Sequence, residues 1–472
     1  MKSYKAIIGS IILAAALPVS TFAAESKSDA PQAKYIFYFI GDGMGMGPVM
    51  AAQNYNRMVL GNSTPLTMMQ MQVVGWCQTY SYSSPVTDSA AAGTALATGN
   101  KTRNGMLGMG PDSVAVTSIA AELHDRGYGI GLVTSVAADD ATPGAFYAHV
   151  PSRKMSYEID VQGVESGYEY IAGASYGGFK DKDGNPTDLQ QRMDRNGISV
   201  KYGAAALGDH DSRRVMIFGD DTAHPWDLSY TIDSVAGALT LPALTADCLA
   251  HLQKYSPDRF FMMVEGGNID HALHGNDAGA AIKEVLNFDS ALAVAFDFYG
   301  KHPDETLIVV TADHDTGGLA LGTNYLGYNN KLELFDHQRV SKEAFSDYCK
   351  SILKSRRIYT WDDMKEYLAD RLGLFGAIEV SPEREKELKE MFDITFEQRN
   401  SNDQKTLYAN FNQFAVEVFR TLNDMAGVGF TTTSHSGNPV PVFATGVGAD
   451  LFKGFNNNIE LPCKIMQSVT PQ

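Results

Sequence analysis

Acidic and imidazole side chains recur close together along this sequence. The stretch "VEGGNIDHALHGND", Val264 to Asp277, places Asp270 and His274 four residues apart, with His271 between them. If the stretch is helical, residues four apart lie on one face. A carboxylate and an imidazole in this arrangement can bind a tetrahedral Zn²⁺ ion. A solvated polar loop is the alternative interpretation.

Two further stretches carry the same kinds of side chain. In "LIVVTADHDTGG" an apolar run leads directly into Asp313 and His314, and in "TTTSHSGNPVPVFATG" His435 precedes a turn and another apolar run. Taken singly, each could be an ordinary polar turn or loop histidine. Together with Asp42, which follows the apolar run of "YIFYFIGDGMGMG", they provide ligands for two Zn²⁺ ions.

The glycines around Asp42 resemble a nucleotide-binding loop only superficially. The dinucleotide fingerprint G-x-G-x-x-G requires a third glycine three residues after the second. That position holds Met46 or Pro48, depending on which glycine starts the count. We therefore expect the glycines to allow a tight backbone turn that positions Asp42.

Ser89 is the candidate nucleophile. In "PVTDSAAAGTALATG", Thr87, Asp88 and Ser89 precede an alanine-rich run of high helix propensity. A simple N-cap is the alternative, but N–H groups at a helix start also face an anion. The sequence offers Ser89 no obvious histidine base, so a metal would have to activate it.

Oxygen ligands and one arginine complete the candidate set. The stretch "DDATPGAFYAHVPSRK" contains Asp140, Thr142 and Arg153. Thr142 and Glu265 are hard oxygen ligands suited to Mg²⁺. The planar fork of Arg153 suits phosphate oxygens, although a surface charge is the alternative.

Short apolar runs alternate with helical patterns along the chain, and this predicts an α/β fold with a doubly wound, mostly parallel sheet flanked by helices. Helices are predicted at Thr117–Arg126 and Ala278–Tyr299. Ligands of such sheets bind beyond the carboxyl ends of the strands, where Asp42, Glu265 and Asp313 stand. The predicted strands are Tyr35–Ile40, Ile130–Thr134, Val215–Gly219, Phe260–Glu265, Thr306–Ala312 and Val440–Gly446.

Residues 325–427 differ from the rest. They are rich in Lys, Glu and Arg and predict several amphipathic helices, one of them beginning at Ser381 and Pro382 in "SPEREKELKEMF". We interpret this segment as a helical insertion before the last strands. It is expected to pack over one edge of the sheet, as a lid or an interface.

The N-terminus predicts export. Residues 1–23 combine two lysines, a twelve-residue apolar run and the small-residue end "TFA", which is typical of a cleaved signal peptide. A membrane anchor is the alternative, but the run is short for a bilayer. Residues 24–34 are interpreted as a flexible leader and 35–472 as the catalytic domain of a periplasmic or secreted protein without a membrane anchor.

Composition limits the partners. The formal charge of −17 makes nucleic acid an unsuitable partner, because nucleic-acid binding depends on clustered Lys and Arg. An anionic substrate would need a locally positive site, which metal ions could supply. The four cysteines, Cys77, Cys248, Cys349 and Cys463, could form disulfides in an exported chain or stay as free buried thiols.

The motifs are similar, in order, to those of alkaline phosphatases: "GDGMG", "TDSAAAGTA", "DATPGAFYAHVPSRK", "VEGGNIDHALH", "TADHDTGG" and "SHSGNPVPVFATG". The resemblance implies hydrolysis of small phosphate monoesters, with Ser89 forming a transient phosphoserine and Arg153 gripping two phosphate oxygens. It also implies three metal sites. The implied ligands are Asp270, His274 and His435 for one zinc, Asp42, Asp313 and His314 for the other, and Asp42, Thr142 and Glu265 for Mg²⁺.

Asp140 and His271 stand where members of that family differ from one another. We expect them to reach the bound phosphate or the Mg²⁺ shell through water. An unperturbed histidine is neutral above about pH 7, so His271 is expected to be uncharged at alkaline pH.

Two alternative functions stay open. One is a phosphodiesterase of the same superfamily, which would share both zinc sites, and the other is a non-catalytic periplasmic protein that binds metal or phosphate. The sequence does not determine the physiological ester or the oligomeric state, and a homodimer is one option.

Overall fold

The computed structural model describes residues 32–208, 210–220, 226–355 and 358–469. At its centre is a ten-stranded sheet, whose strands we number in chain order. They are β1 (Tyr35–Gly41), β2 (Val73–Gln78), β3 (Gly129–Thr134), β4 (Tyr170–Gly173), β5 (Ser199–Tyr202), β6 (Val215–Phe218), β7 (Phe260–Gly266), β8 (Thr306–Ala312), β9 (Val440–Gly446) and β10 (Gly454–Asn457).

The spatial order of the strands is β10-β2-β9-β8-β1-β7-β3-β4-β6-β5. Strand β1 lies in the middle and runs parallel to both β7 and β8. Only β9 departs from the parallel arrangement, since it is antiparallel to β2 and β8. Residues Ile36 to Ile40 are fully buried, as expected for a strand covered by helices on both faces. The predicted doubly wound, mostly parallel fold is confirmed.

Helices cover both faces of the sheet. They are α1 (Met46–Met58), α2 (Ser89–Thr98), α3 (Ile119–Asp125), α4 (Ala141–Gly144), α5 (Ser156–Glu165), α6 (Leu189–Arg195), α7 (Leu241–Tyr255), α8 (Asn268–His274), α9 (Ala278–Tyr299), α10 (Lys342–Lys354), α11 (Trp361–Leu372), α12 (Pro382–Phe392), α13 (Gln413–Ala426) and α14 (Glu460–Ser468). Three pairs of two-residue strands join the loops: Asp315–Thr316 with His435–Ser436, Ala320–Leu321 with Val428–Gly429, and Gln404–Lys405 with Asn410–Phe411.

The strand register brings the candidate ligands to one edge. Gly41 at the end of β1 pairs with Gly266 of β7 and with Ala312 of β8. Asp42 and Asp313 therefore leave neighbouring strands at the same level, and Glu265 lies one residue before the end of β7. This is the carboxyl edge of a parallel sheet, where the sequence predicted the site.

The six predicted strands all exist, with ends that agree within one residue. Sequence reasoning missed the strands near the sheet edges. In β2, for example, Val73, Gly75 and Cys77 are buried while Val74 and Trp76 are exposed, so the strand lacks the continuous apolar run that marks a central strand.

The helix predictions also hold. Helix α9 has the predicted bounds, whereas α3 is shorter at both ends than the predicted Thr117–Arg126. The Ser118 hydroxyl accepts the N–H of Ala121 and so caps α3 at its first turn.

Residues 325–427 contain helices α10 to α13, and we call this segment the insertion, after the interpretation from the sequence. Helix α12 begins after Ser381, whose side chain accepts the N–H of Arg384, with Pro382 at the first helical position. In the core of this helical segment, the ring of Phe414 packs against the rings of Phe345 and Phe392. The segment is attached to the start of α9, where the Asp277 carboxylate accepts the N–H of Lys342 at 2.7 Å.

The predicted signal peptide and most of the predicted leader lie outside the described residues. From Ala33 the chain is bonded into the domain, since the Ala33 N–H donates to the Ser468 carbonyl at 2.9 Å. All four cysteines are free thiols, and only Cys463 is exposed. Within the described ranges, no helix is long and apolar enough to span a bilayer.

Candidate active site

Two groups of acidic and imidazole side chains meet at the carboxyl edge of the sheet. One contains Asp42, Asp313 and His314, and the other contains Asp270, His314 and His435. Within each group the potential ligand atoms all lie within 4.8 Å of one another. The structure thus brings together residues that are far apart in the chain, and His314 belongs to both groups.

Four different elements supply these side chains. Asp42 and Asp313 directly follow β1 and β8, Asp270 and His274 lie on α8, and His435 lies in a two-residue strand paired with Thr316. The Nε2 atom of His274 is 3.3 Å from Oδ2 of Asp270 and 3.1 Å from Nε2 of His435. The predicted pair at i and i+4 therefore does share a helix face.

Backbone carbonyls orient two of the imidazoles. Nδ1 of His274 lies 2.6 Å from the Thr433 carbonyl oxygen, and Nδ1 of His435 lies 2.8 Å from that of Thr87. Because a carbonyl only accepts, Nδ1 carries a hydrogen in both rings, and Nε2 is the nitrogen left to face the cluster. Metal-binding histidines are commonly oriented in this way, by a carbonyl at the second ring nitrogen.

Three buried carboxylate oxygens of the cluster accept no hydrogen bond in the described ranges: Oδ1 of Asp42, Oδ2 of Asp270 and Oδ2 of Asp313. Each of them lies 3.0 to 3.4 Å from an imidazole nitrogen of the same cluster. Buried charged oxygens are costly unless they are paired or coordinate a metal. The donor set of three carboxylates and three imidazoles fits divalent cations, and in particular zinc.

The pKa shifts within the cluster are also those expected of a site that binds cations. Burial raises the pKa of Asp42 well above its usual range, and the Asp313 carboxylate raises it further. Burial by itself would also raise the pKa of Asp270, but the imidazoles of His274 and His435 hold it well below its usual range. Burial lowers the pKa of His435 to about 4, so this imidazole is neutral and able to act as a ligand.

A third set of donors consists of oxygens alone. Oγ1 of Thr142 and Oε1 of Glu265 are buried and without a hydrogen-bond partner among the described residues. The second oxygen of Glu265 accepts a hydrogen bond from Thr134. Burial, reinforced by the Asp140 carboxylate, raises the pKa of Glu265 to about 8. Hard oxygen donors of this kind fit Mg²⁺.

Ser89 is buried at the first position of α2. Asp88 caps the helix by accepting the N–H of Ala91 at 2.9 Å. The Ser89 hydroxyl oxygen lies 3.1 Å from Nε2 of His314. The sequence offered no histidine beside Ser89, so this contact is new, but the same nitrogen is 3.0 Å from Asp313 and belongs to the carboxylate cluster.

The glycine after Asp42 has a clear structural role. Gly43 has a φ of +67°, and a Cβ atom there would lie 2.7 Å from Oδ1 of Asp270 and 2.8 Å from Oγ1 of Thr316. Its N–H donates to Oδ1 of Asp313 at 3.0 Å. The loop therefore supports the carboxylate cluster, and only glycine fits both the backbone angle and the space.

Arg153 lies beside the serine-bearing helix. Its Nη2 is 2.6 Å from Oδ1 of Asp140 and 3.4 Å from the Tyr408 hydroxyl, and its Nη1 is 3.8 Å from Asp88. Its side chain keeps 16% of its surface exposed, enough to meet a ligand. Asp140 thus contacts Arg153 directly.

His271 has a partner that the sequence did not indicate. Its Nδ1 lies 2.7 Å from Oδ1 of Asp227. Burial alone would lower the pKa of His271, but the Asp227 carboxylate outweighs burial and raises the pKa to about 9. The expectation of an uncharged His271 assumed an unperturbed imidazole, and the Asp227 carboxylate shifts its titration upward, to a pKa of about 9.

Three residues of the site escaped sequence reasoning: Thr316, Asp227 and Tyr408. Thr316 donates to Asp270 and follows the motif that ends β8, so its position beyond a strand end was an available signal. Asp227 and Tyr408 lie in loops without any motif, and no pattern in the sequence marks them.

Comparisons with known proteins agree with this architecture. A family model described as alkaline phosphatase matches residues 33–175 and 182–470. Alkaline phosphatase 4 of Bacillus subtilis (strain 168) is 29% identical over 463 residues, which covers 95% of this chain and 92% of that protein.

Solved structures show the same fold. The cold-active alkaline phosphatase from the psychrophile Shewanella sp. matches with a TM-score of 0.78 at 27% identity, covering 92% of this chain and 99% of that one. The Thermus thermophilus alkaline phosphatase matches with a TM-score of 0.76 at 25% identity, covering 96% of this chain and 95% of that one. The chain is an enzyme, a hydrolase that belongs to the alkaline phosphatase family.

Proposed function

We propose that this chain hydrolyses phosphate monoesters through a phosphoserine on Ser89, with two zinc ions and one magnesium ion as cofactors. The observation that carries the proposal is the position of Ser89. Its hydroxyl lies at the start of a ten-residue helix and contacts His314, the residue shared by both donor groups.

The donor sets divide among three cations. One zinc would be held by Asp270, His274 and His435, the other by Asp42, Asp313 and His314, and magnesium by Asp42, Thr142 and Glu265. When bound, the zinc ions lower the pKa of the serine hydroxyl and neutralise charge on the leaving oxygen. The buried oxygens of these residues that accept no hydrogen bond in the described ranges support that assignment.

The protein's own residues position the reaction. The phosphoryl group lies at the N-terminus of α2, where the backbone N–H groups favour an anion. The guanidinium of Arg153 binds two of its oxygens. Asp140 and Asp88 hold that guanidinium in place, so little freedom is lost when substrate arrives.

Two displacements at phosphorus follow. In the first, the Ser89 hydroxyl gives up its proton to solvent as its oxygen bonds to phosphorus, the bond from phosphorus to the ester oxygen breaks, and the departing alkoxide takes up a proton from solvent. In the second, a water oxygen bonds to phosphorus and gives up a proton, the bond to the Ser89 oxygen breaks, the Ser89 oxygen takes up a proton, and inorganic phosphate leaves. Both transition states are loose, so positioning and charge neutralisation dominate catalysis.

Arg153 favours monoesters over diesters. The phosphoryl group of a monoester dianion has more charged oxygens than that of a diester, so it is better suited to a bidentate hydrogen bond with Arg153. For a pure metal- or phosphate-binding protein, a buried serine directed at the donor groups would have no role. These considerations rank the phosphodiesterase and the binding protein below the monoesterase.

Acid-quench labelling tests the proposal. The metal-loaded protein is mixed with a radioactive phosphate monoester, quenched in acid and digested. We expect label on the peptide that contains Ser89, and none in Ser89→Ala. Equal metal content in both proteins, by elemental analysis, is the control. A stable label on the Ala variant would place the nucleophile elsewhere.

Export to the periplasm or the medium and assembly into a homodimer stay predictions. Residues 1–23, on which the export prediction rests, can be tested by N-terminal sequencing of protein recovered from the medium or periplasm. Cleavage after Ala23 is the expected result, and an intact N-terminus would contradict it.

A further inference from the structure

The insertion at 325–427 returns to the active site through a short hairpin. Gln404 and Lys405 pair antiparallel with Phe411 and Asn410. At the turn, the Thr406 N–H donates to the Ala409 carbonyl at 2.9 Å. This closed turn places residues 407 and 408 at the tip of the hairpin.

The base of the hairpin is attached to the helix that carries the site. Phe411 is buried, and the Lys342 ammonium lies 4.7 Å from the centre of its ring. The same ammonium donates to the Gly275 carbonyl at 2.7 Å, and Gly275 ends α8. The hairpin is therefore held at a defined position relative to Asp270 and His271.

From this position Tyr408 reaches into the site. Its ring lies over that of His271, with 3.8 Å between the ring centres and 36° between the planes, and 5.3 Å from the ring centre of His274. Its hydroxyl is 3.4 Å from Nη2 of Arg153. The residue is 36% exposed, so part of its surface is open to solvent and to a ligand.

The chemistry of this contact leaves one hydrogen free. A guanidinium only donates hydrogen bonds, so in the contact with Arg153 the phenol oxygen accepts. The hydrogen of the phenol is then available to another acceptor, because the contact with Arg153 uses only the phenol oxygen. Tyr408 thus offers a donor beside the donors of Arg153.

We propose that Tyr408 contacts the substrate directly, donating its phenol hydrogen to an oxygen of the same phosphoryl group that Arg153 binds. The insertion thereby contributes to phosphate recognition, and the adjoining rings of Tyr408 and His271 lie together beside Arg153. The inference rests on the proposed phosphomonoesterase function and deepens it.

Equilibrium binding of inorganic phosphate tests this contact without turnover. Isothermal titration calorimetry would compare the metal-loaded wild-type protein with Tyr408→Phe, which keeps the ring and its stacking. We expect phosphate affinity to fall about tenfold, as for the loss of one hydrogen bond to a charged group. Leu407→Ala is the matched control at the hairpin tip, where the side chain is 59% exposed. Its phosphate affinity should stay within twofold of wild type.

Unchanged phosphate affinity in Tyr408→Phe would overturn the inference. The same conclusion would follow if Tyr408→Ala weakened phosphate binding while Tyr408→Phe did not, because the ring and not the hydroxyl would then be responsible. Failure of the proposed function would look different. Ser89 would take no label, yet a loss of phosphate affinity in Tyr408→Phe would still establish the contact.

Discussion

The donor cluster at the sheet edge and the insertion at 325–427 handle their charges in opposite ways. In the cluster, Asp42, Asp270 and Asp313 are buried together, each with an oxygen that accepts no hydrogen bond in the described ranges. In the insertion, apart from the buried Lys342, charges such as those of α12 and α13 pair along or between helices. Arg384, for example, lies 3.0 Å from Asp424, and Lys389 lies 2.7 Å from Asp393.

This difference shows which region depends on a cofactor. Ion pairs within the insertion neutralise charges of α12 and α13, and aromatic side chains of its helices pack against one another. The carboxylate cluster instead concentrates like charge in a buried place, which is favourable only when cations are bound. We therefore expect cations to contribute to the stability of the cluster and little to that of the insertion.

The largest expected effect comes from removing the metals. A chelator should abolish activity and lower the thermal stability of the protein, whereas Zn²⁺ should restore activity and Mg²⁺ should raise it further. A cation present at 100 times its Kd stabilises the native state by about 2.7 kcal/mol.

Amide hydrogen exchange can separate the two regions in that experiment. Protection should fall most in α8 and in the loops after β1 and β8, and least in α12. Full activity in protein shown by elemental analysis to be metal-free would contradict the prediction. Equal loss of protection in α12 and α8 would remove the distinction between the two regions.

A smaller effect is expected from Arg153→Ala. Hydrolysis of a monoester should fall more than hydrolysis of a diester, by about ten- to a hundredfold for each charge-assisted hydrogen bond lost. The measurement is kcat/KM for one substrate of each type, with Arg420→Ala in the insertion as the matched control. Similar losses for both substrate types would show that Arg153 is not the phosphate clamp.

Glu284 is a buried acid outside the donor cluster, and its titration can be compared with that of the cluster. Glu284 on α9 is buried and accepts the N–H of Thr231 at 2.6 Å, and burial raises its pKa to about 7. The unfolded chain loses this proton at lower pH than the native state does. The contribution of Glu284 to stability is therefore complete below about pH 4.5 and is lost as the pH rises through about 7.

Glu284→Gln removes this titration while nearly keeping the shape of the side chain. Denaturant unfolding between pH 5 and 8 should show a difference between wild type and variant that changes by about 1–3 kcal/mol over that range. A constant difference would mean that Glu284 has an ordinary pKa in the native state.

The smallest effect is expected from the surface charges of the insertion. Arg420 on α13 pairs with Glu417 and, at 3.5 Å, with Asp424, but its side chain is half-exposed and screened by solvent. Arg420→Ala should change the free energy of unfolding by less than about 1 kcal/mol and leave phosphatase activity unchanged. A large loss of stability would show that the insertion, too, depends on a specific charge.

Much of the site could be predicted because its residues stand in local patterns. Asp42 and Asp313 follow apolar runs, and Asp270 and His274 have helical spacing, so each carries its own signal. The prediction of an unperturbed His271 failed because the pKa of a histidine depends on its spatial neighbours. Its partner Asp227 lies 44 positions earlier in the chain, in a loop with no motif.

By itself, the sequence determined the central strands, the order of the motifs and the residue types at the carboxyl edge of the sheet. These follow from hydrophobic periodicity and from short-range spacing, which are local properties of the chain. Only the tertiary structure decided that His314 is shared by both donor groups and contacts Ser89, and that Tyr408 of the insertion lies over His271. Such contacts depend on how loops and an inserted segment pack onto the sheet, and residues 255 positions apart, such as Arg153 and Tyr408, carry no local signal of their contact.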